Sequence, residues 1–137
     1  MAELIGFVSI SIVGLITLIV GLRYPALSKI FLVAFTIRVL LILYGHYISP
    51  LPDSTADAES FEGDAWKYGK DGFVVLLDRY TGPSPYFLSW LIGIPYSFLG
   101  RSILMAQSIS LFFGMGCIFL GWMVAKKIWN KDIAIKV

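Results

Sequence analysis

The chain has 137 residues, 58% of them hydrophobic, with a mean hydropathy of +0.80 and a formal charge of +2. That composition excludes a soluble domain and describes one domain of an integral membrane protein. So small a charge, divided among separate basic clusters, excludes nucleic-acid binding, and a lone cysteine, Cys117, excludes both a disulfide framework and a cysteine metal cluster.

Leu4 to Leu22 is nineteen residues without a charge, enough at about 1.5 Å per residue to cross a hydrocarbon core of about 30 Å. It opens at Glu3 and closes at Arg23, flanks that suit an uncleaved span and not a removed signal. Arg23, Pro25 and Lys29 make a short basic turn, and Ile30 to Tyr47 forms a second span ending in Tyr44, His46 and Tyr47. Arg38 stands eight residues into that span, about 12 Å from its basic end, where exposure to lipid costs at least about 2.5 kcal/mol. A carboxylate or phosphate partner is expected, and no other span of the chain carries an acid.

Ser49 to Tyr80 is the one long polar stretch, and seven of the nine acidic residues lie in it. Asp53, Asp57, Glu59, Glu62, Asp64, Asp71 and Asp78 alternate with Phe61, Trp66, Tyr68 and Phe73, a composition that predicts a folded acidic cap. A helix is predicted over about 57–70, capped by Ser54 or Thr55 and stopped by Gly72. Its face of Asp57, Phe61, Ala65 and Tyr68 is suited to lie flat on lipid. A carboxylate at the head of such a face can act as a general base; the plainer reading is a solvated acidic helix.

Ser84 and Pro85 predict the start of a second helix, over about 85–99, too short to cross, with Ser89, Gly93 and Ser97 on one face. Ile103 to Ala125 is a full span followed by Lys126, Lys127, Lys131 and Lys136. Ser102, Ala106, Ser110 and Gly114, continued by Cys117, Gly121 and Ala125, form a small-residue ridge that predicts helix packing. With Arg23, Lys29 and the C-terminal lysines inside, six of the eleven basic residues are cytoplasmic, the N-terminus is outside and the C-terminus inside.

The predicted fold class is therefore all-α integral membrane. It is one domain with spans 4–22, 30–47 and 103–125 and an extracytoplasmic loop, 48–102, that carries two juxtamembrane helices. His46 has no second histidine or cysteine at ligand spacing. The acidic cluster offers oxygens to a divalent cation but lacks the D-x-D-x-D-G loop of a calcium site, so no cofactor is required by the sequence.

The order of these parts resembles the start of a GT-C type membrane glycosyltransferase, the group that includes protein O-mannosyltransferases and lipid A aminoarabinose transferases. The likeness rests on Asp-x-x-x-aromatic-x-x-x-Ala at Asp57, Phe61 and Ala65, on PYFLSWLIGIPYSFLGRS from Pro85 to Ser102, and on the following helix with its basic end AKKIW. The resemblance implies a polyprenyl-phosphate sugar donor, inversion at the sugar carbon, and transfer on the outer face of a bacterial-type inner (plasma) membrane. It implies Asp57 as the general base, with Asp53, Glu59 and Asp64 as alternates, and Arg38, Tyr68 and Arg101 as candidate substrate-binding residues. The family's adjacent Asp-Glu pair is Asp57-Ala58-Glu59 here, and the span 4–22 is additional.

Three spans and a loop do not enclose a donor. The chain is accordingly read as the N-terminal part of such an enzyme, inactive alone and completed by further transmembrane helices or a partner subunit. Two other readings stand beside it: a polysaccharide polymerase or ligase using Arg79 and Arg101, and a non-enzymatic small membrane subunit that binds partners through the ridge.

Overall fold

Two apolar helices joined by a single residue begin the chain. In the computed structural model, which describes residues 1–50, 56–80 and 82–128, α1 spans Ala2–Arg23 and α2 spans Pro25–Tyr47, leaving only Tyr24 between them. The second span therefore starts five residues before the predicted Ile30. Pro25 explains the difference, because at the first helical position its missing N–H leaves no bond unmade and its fixed φ suits the helix. The Tyr24 N–H closes α1 on the Val20 carbonyl at 2.9 Å, and the Tyr24 carbonyl accepts the Leu27 N–H at 2.9 Å.

So short a connection makes α1 and α2 antiparallel neighbours. The start of α1 then meets the end of α2: the Tyr47 hydroxyl donates to Glu3 Oε2 at 2.6 Å, and His46 Nε2 lies 3.2 Å from Glu3 Oε1. This end carries the cap and is called the cap end below. The other end carries Arg23, Lys29, Lys126 and Lys127.

The third long helix, labelled α6 because three shorter helices precede it, spans Ile103–Ile128. It returns along both α1 and α2, and Val13, Leu27, Phe31, Leu111, Met115, Trp122 and Ala125 form the core of the three-helix bundle. Near the basic end, the Tyr24 ring sits 5.3 Å from Phe119 and 5.4 Å from Trp122, and the Lys126 ammonium lies 5.1 Å from the Trp122 ring centre. Near the cap end, the Ser102 hydroxyl donates to the Ala2 carbonyl at 2.8 Å and accepts the Met105 N–H at 3.3 Å, which caps α6 and ties it to α1.

Spans of 22, 23 and 26 residues are about 33 to 39 Å long, each enough for the hydrocarbon core. Most of their outward side chains are apolar, among them Phe7, Ile12 and Leu15 of α1 and Ile37, Leu40 and Leu41 of α2. Lipid is the solvent that such a surface requires. The protein is an all-α integral membrane protein with three spanning helices among the described residues.

Between α2 and α6 lie three shorter helices at the cap end: α3 (Ala56–Gly69), α4 (Phe73–Asp78) and α5 (Phe87–Leu99). The predicted helix over 57–70 is α3. The proposed caps Ser54 and Thr55, and Asp53, lie outside the described residues. The short α4 was not expected; Gly72, at φ 96°, breaks the chain after α3 and α4 starts at the next residue. The second juxtamembrane helix starts at Phe87, not at Pro85, and Tyr86 precedes it with no side-chain cap. Ser84 serves a turn instead, its carbonyl accepting the Phe87 N–H at 3.0 Å.

Candidate functional site

The cap is built on the crossing of α3 and α5. Ala65 and Gly69 of α3 meet Gly93 and Tyr96 of α5. A Cβ on Gly69 would stand 2.6 Å from the Gly93 carbonyl oxygen, and one on Gly93 would stand 3.2 Å from the Ala65 carbonyl oxygen. Only residues without side chains allow backbones this close. Leu76 of α4 closes the crossing from the side and is fully buried, and the Trp90 indole N–H donates to the Leu76 carbonyl at 2.9 Å.

The face of α3 predicted to lie on lipid is therefore an interface with α5. Ala65 is wholly buried, the Tyr68 Cβ lies beside Gly93, and the Phe61 ring packs at 6.5 Å from Tyr86. The small-residue face of α5 is its counterpart: Ser89 and Gly93 are buried against the neighbouring helices. An aromatic and small-residue stripe suits either an apolar helix or lipid, and here the helix occupies it.

One buried carboxylate locks the crossing. Glu62 is 8% exposed, and its two oxygens receive the Arg101 guanidinium as a fork, Nε to Oε1 at 2.9 Å and Nη2 to Oε2 at 2.6 Å. The Tyr96 hydroxyl donates to Glu62 Oε1 at 2.8 Å and lies 3.0 Å from the Ser102 carbonyl, sharing one proton between the two acceptors. Hydrogen bonding to Arg101 holds the Glu62 carboxyl below its ordinary range, with Tyr96 adding to the effect against the cost of burial. Burial, then the bond to Glu62, drives the Tyr96 phenol well above its usual value. Glu62, passed over as a site residue in the sequence, is thus an ionised clamp joining α3, α5 and the start of α6.

The remaining acids sort by position. Asp57 is the second residue of α3, one turn before Phe61. Glu59 is exposed in the same turn. Asp64 accepts from Lys67 at 2.7 Å in a surface pair, and Asp71 accepts from Arg79 at 2.6 Å. Arg79 also donates to the Lys67 carbonyl at 2.6 Å, which braces the turn after α3. Of the candidate binding residues, Arg101 is engaged by Glu62 and Tyr68 packs on α5, while Arg38 lies within the spans. Counted from the observed ends of α2, Arg38 is about 20 Å from the basic end and about 14 Å from the cap end. It does not join the acids of the cap.

Among the described residues no group of three or more histidine, cysteine or acidic side chains is placed to hold a metal ion. Outside the ion pairs described above, Glu59 is exposed in the first turn of α3 and Asp78 is exposed at the end of α4. No protein-family model matches the chain, and neither a curated protein nor a solved structure is significantly similar to it.

Proposed function

We propose that this chain is the base-bearing, N-terminal part of a membrane glycosyltransferase of the GT-C kind, which moves a sugar from a polyprenyl-phosphate donor to an acceptor on the extracytoplasmic face. The observation that carries the reading is the position of Asp57. It stands in the first turn of a helix clamped across the cap ends of the spans. A base at this end of the spans would act near the headgroups, where a lipid-linked phosphate resides.

The chemistry asks little more of this residue. Asp57 takes the proton of an acceptor hydroxyl as that oxygen attacks the anomeric carbon from the side opposite the phosphate. The bond from that carbon to the phosphate oxygen breaks, polyprenyl phosphate leaves with the electron pair, and the sugar carbon is inverted. Glu62 cannot share the role, since it is buried and Arg101 and Tyr96 engage both of its oxygens. Further helices, from a partner or from elsewhere in the assembly, complete the walls around the donor.

The test is transfer of a radiolabelled sugar from a polyprenyl-phosphate donor in native membranes, where the chain stands with the helices that complete it. Asp57→Asn is expected to lower transfer by about 100-fold or more, with Glu59→Gln within about threefold of the parent. Equal transfer by the parent and by Asp57→Asn would overturn the assignment, as would no transfer by the parent.

A further inference from the structure

Among the described residues Arg38 is the one charged residue in the interior of a spanning helix, and it lies about 3 Å from the midpoint of α2. Its side chain is exposed, and among the described residues no carboxylate lies within salt-bridge distance of it. The guanidinium rests over Gly114 of α6, where an added Cβ would stand 2.5 Å from Nη1. Gly114 is about 17 Å below the cap end of α6, deeper than the Arg38 backbone. The side chain thus follows the helical tilt toward the N-terminus of α2 and stays at mid-depth, without reaching toward the nearer surface.

That depth selects the partner. Lipid phosphates stand outside a hydrocarbon half-thickness of about 15 Å, and an extended arginine covers roughly half of the remaining distance. A second copy of the chain brings no acid to this level, because none occurs between Glu3 and Asp53 or between Asp78 and Asp132. A carboxylate at mid-membrane depth has to come from another helix. The surface beside Arg38 admits one closely: Ser110, Cys117 and Gly121 of α6 are exposed, and a Cβ on Gly121 would meet nothing within 4 Å. The middle of the small-residue ridge, from Ser110 to Gly121, is therefore open, whereas Ser102 and Ala106 toward the cap end and Ala125 toward the basic end are buried within the fold.

We propose that the edge formed by α2 and α6 around Arg38 docks a transmembrane helix of another membrane protein, and that this helix carries an aspartate or glutamate at mid-membrane depth to pair with the Arg38 guanidinium. The exposed small residues let the two backbones approach, and the ion pair sets register and partner choice. This surface does not depend on the transfer reaction, since it lies within the spans and away from Asp57.

Photo-cross-linking in membranes of cells that express the full chain tests it, with p-benzoylphenylalanine replacing Ser110 or, separately, Cys117, and Ile12 on α1 as the control position. The expected result is a protein adduct at 110 and 117 but not at 12, whose cross-linked peptide maps to a transmembrane segment with a central Asp or Glu. Arg38→Leu lowers the adduct at least about tenfold, although removing the charge favours insertion of α2. Arg38→Glu abolishes it, and Arg38→Glu together with an acid-to-arginine change in the partner restores it. An adduct that persists at the parent yield in Arg38→Leu, an adduct only to lipid or to another copy of this chain, or no adduct would each overturn the proposal.

Discussion

Arg101 grips Glu62 with two nitrogens, Nε on Oε1 at 2.9 Å and Nη2 on Oε2 at 2.6 Å, and so joins the residue before the α6 cap to the middle of α3. Glu62→Ala leaves the buried Tyr96 hydroxyl with the Ser102 carbonyl alone and frees the half-exposed arginine. The expected loss of cap docking is about 1–3 kcal/mol. Tyr96→Phe removes one neutral-to-charged hydrogen bond of the same network and is expected to cost about 1–2 kcal/mol. Hydrogen exchange at the α3 amides, in bilayer nanodiscs, reads both effects directly. Exchange over 58–69 that is unchanged in Glu62→Ala would mean that the glycine crossing alone holds the cap.

The same clamp predicts a pH window. Glu62 is held below its ordinary 4.5 by Arg101, so its contribution is complete above that value and is lost as pH falls through the lower, folded-state value. Tyr96 is raised above its ordinary 10.0 by burial and Glu62, so its contribution is complete below 10.0 and declines as pH rises beyond it. Cap docking should be flat between these limits and weaken on either side. In protease-resistance profiles, Glu62→Gln is expected to flatten the acid limb and Tyr96→Phe the alkaline one. An acid limb that keeps its midpoint in Glu62→Gln would assign the transition to other carboxylates.

Two glycines of α3, Gly63 and Gly69, make opposite predictions. Gly69 has no room for a methyl group, with the Gly93 carbonyl oxygen at 2.6 Å and the Tyr96 Cβ at 2.8 Å from the built position. Gly69→Ala is expected to push α3 off α5 and cost about 1–3 kcal/mol. Gly63, in the same helix, has nothing within 4 Å of that position. Gly63→Ala is expected to stabilise α3 by about 0.5–1 kcal/mol through helix propensity. Thermal unfolding of the two single variants separates the effects, and destabilisation of equal size in both would deny the close crossing.

How much of this was legible beforehand follows from the range of each interaction. The spans are local: a run without charge, long enough for the bilayer, is written in consecutive residues, and only Pro25 moved a boundary by more than two or three positions. The crossing of α3 and α5 was half legible, because Phe61, Ala65 and Tyr68 share a face, as do Ser89 and Gly93, but nothing in either pattern says that the two faces meet. Glu62 was hidden. Its partners Tyr96 and Arg101 are 34 and 39 residues away, and its neighbours make it one more acid in an acidic stretch. Arg38 stood out at once, yet its depth changed when α2 proved to begin at Pro25. Asp57 was marked by its place at the head of α3, and its assignment rests on that place.

The orientation carries the last prediction. Arg23, Lys29, Lys126 and Lys127 gather at one end of the spans, and the cap lies at the other. Because lysine and arginine are in excess on the cytoplasmic side of membrane proteins, the cap is expected outside. With Cys117→Ser as background, a membrane-impermeant maleimide should label Ser60→Cys on exposed α3 in intact cells. It should label Lys127→Cys only after the membrane is permeabilised. The reverse pattern would invert the protein and remove the acidic cap from the face where a lipid-linked donor is proposed. Labelling of both positions from outside would mean that α6 does not cross, which its 26 residues and its place in the bundle core both argue against.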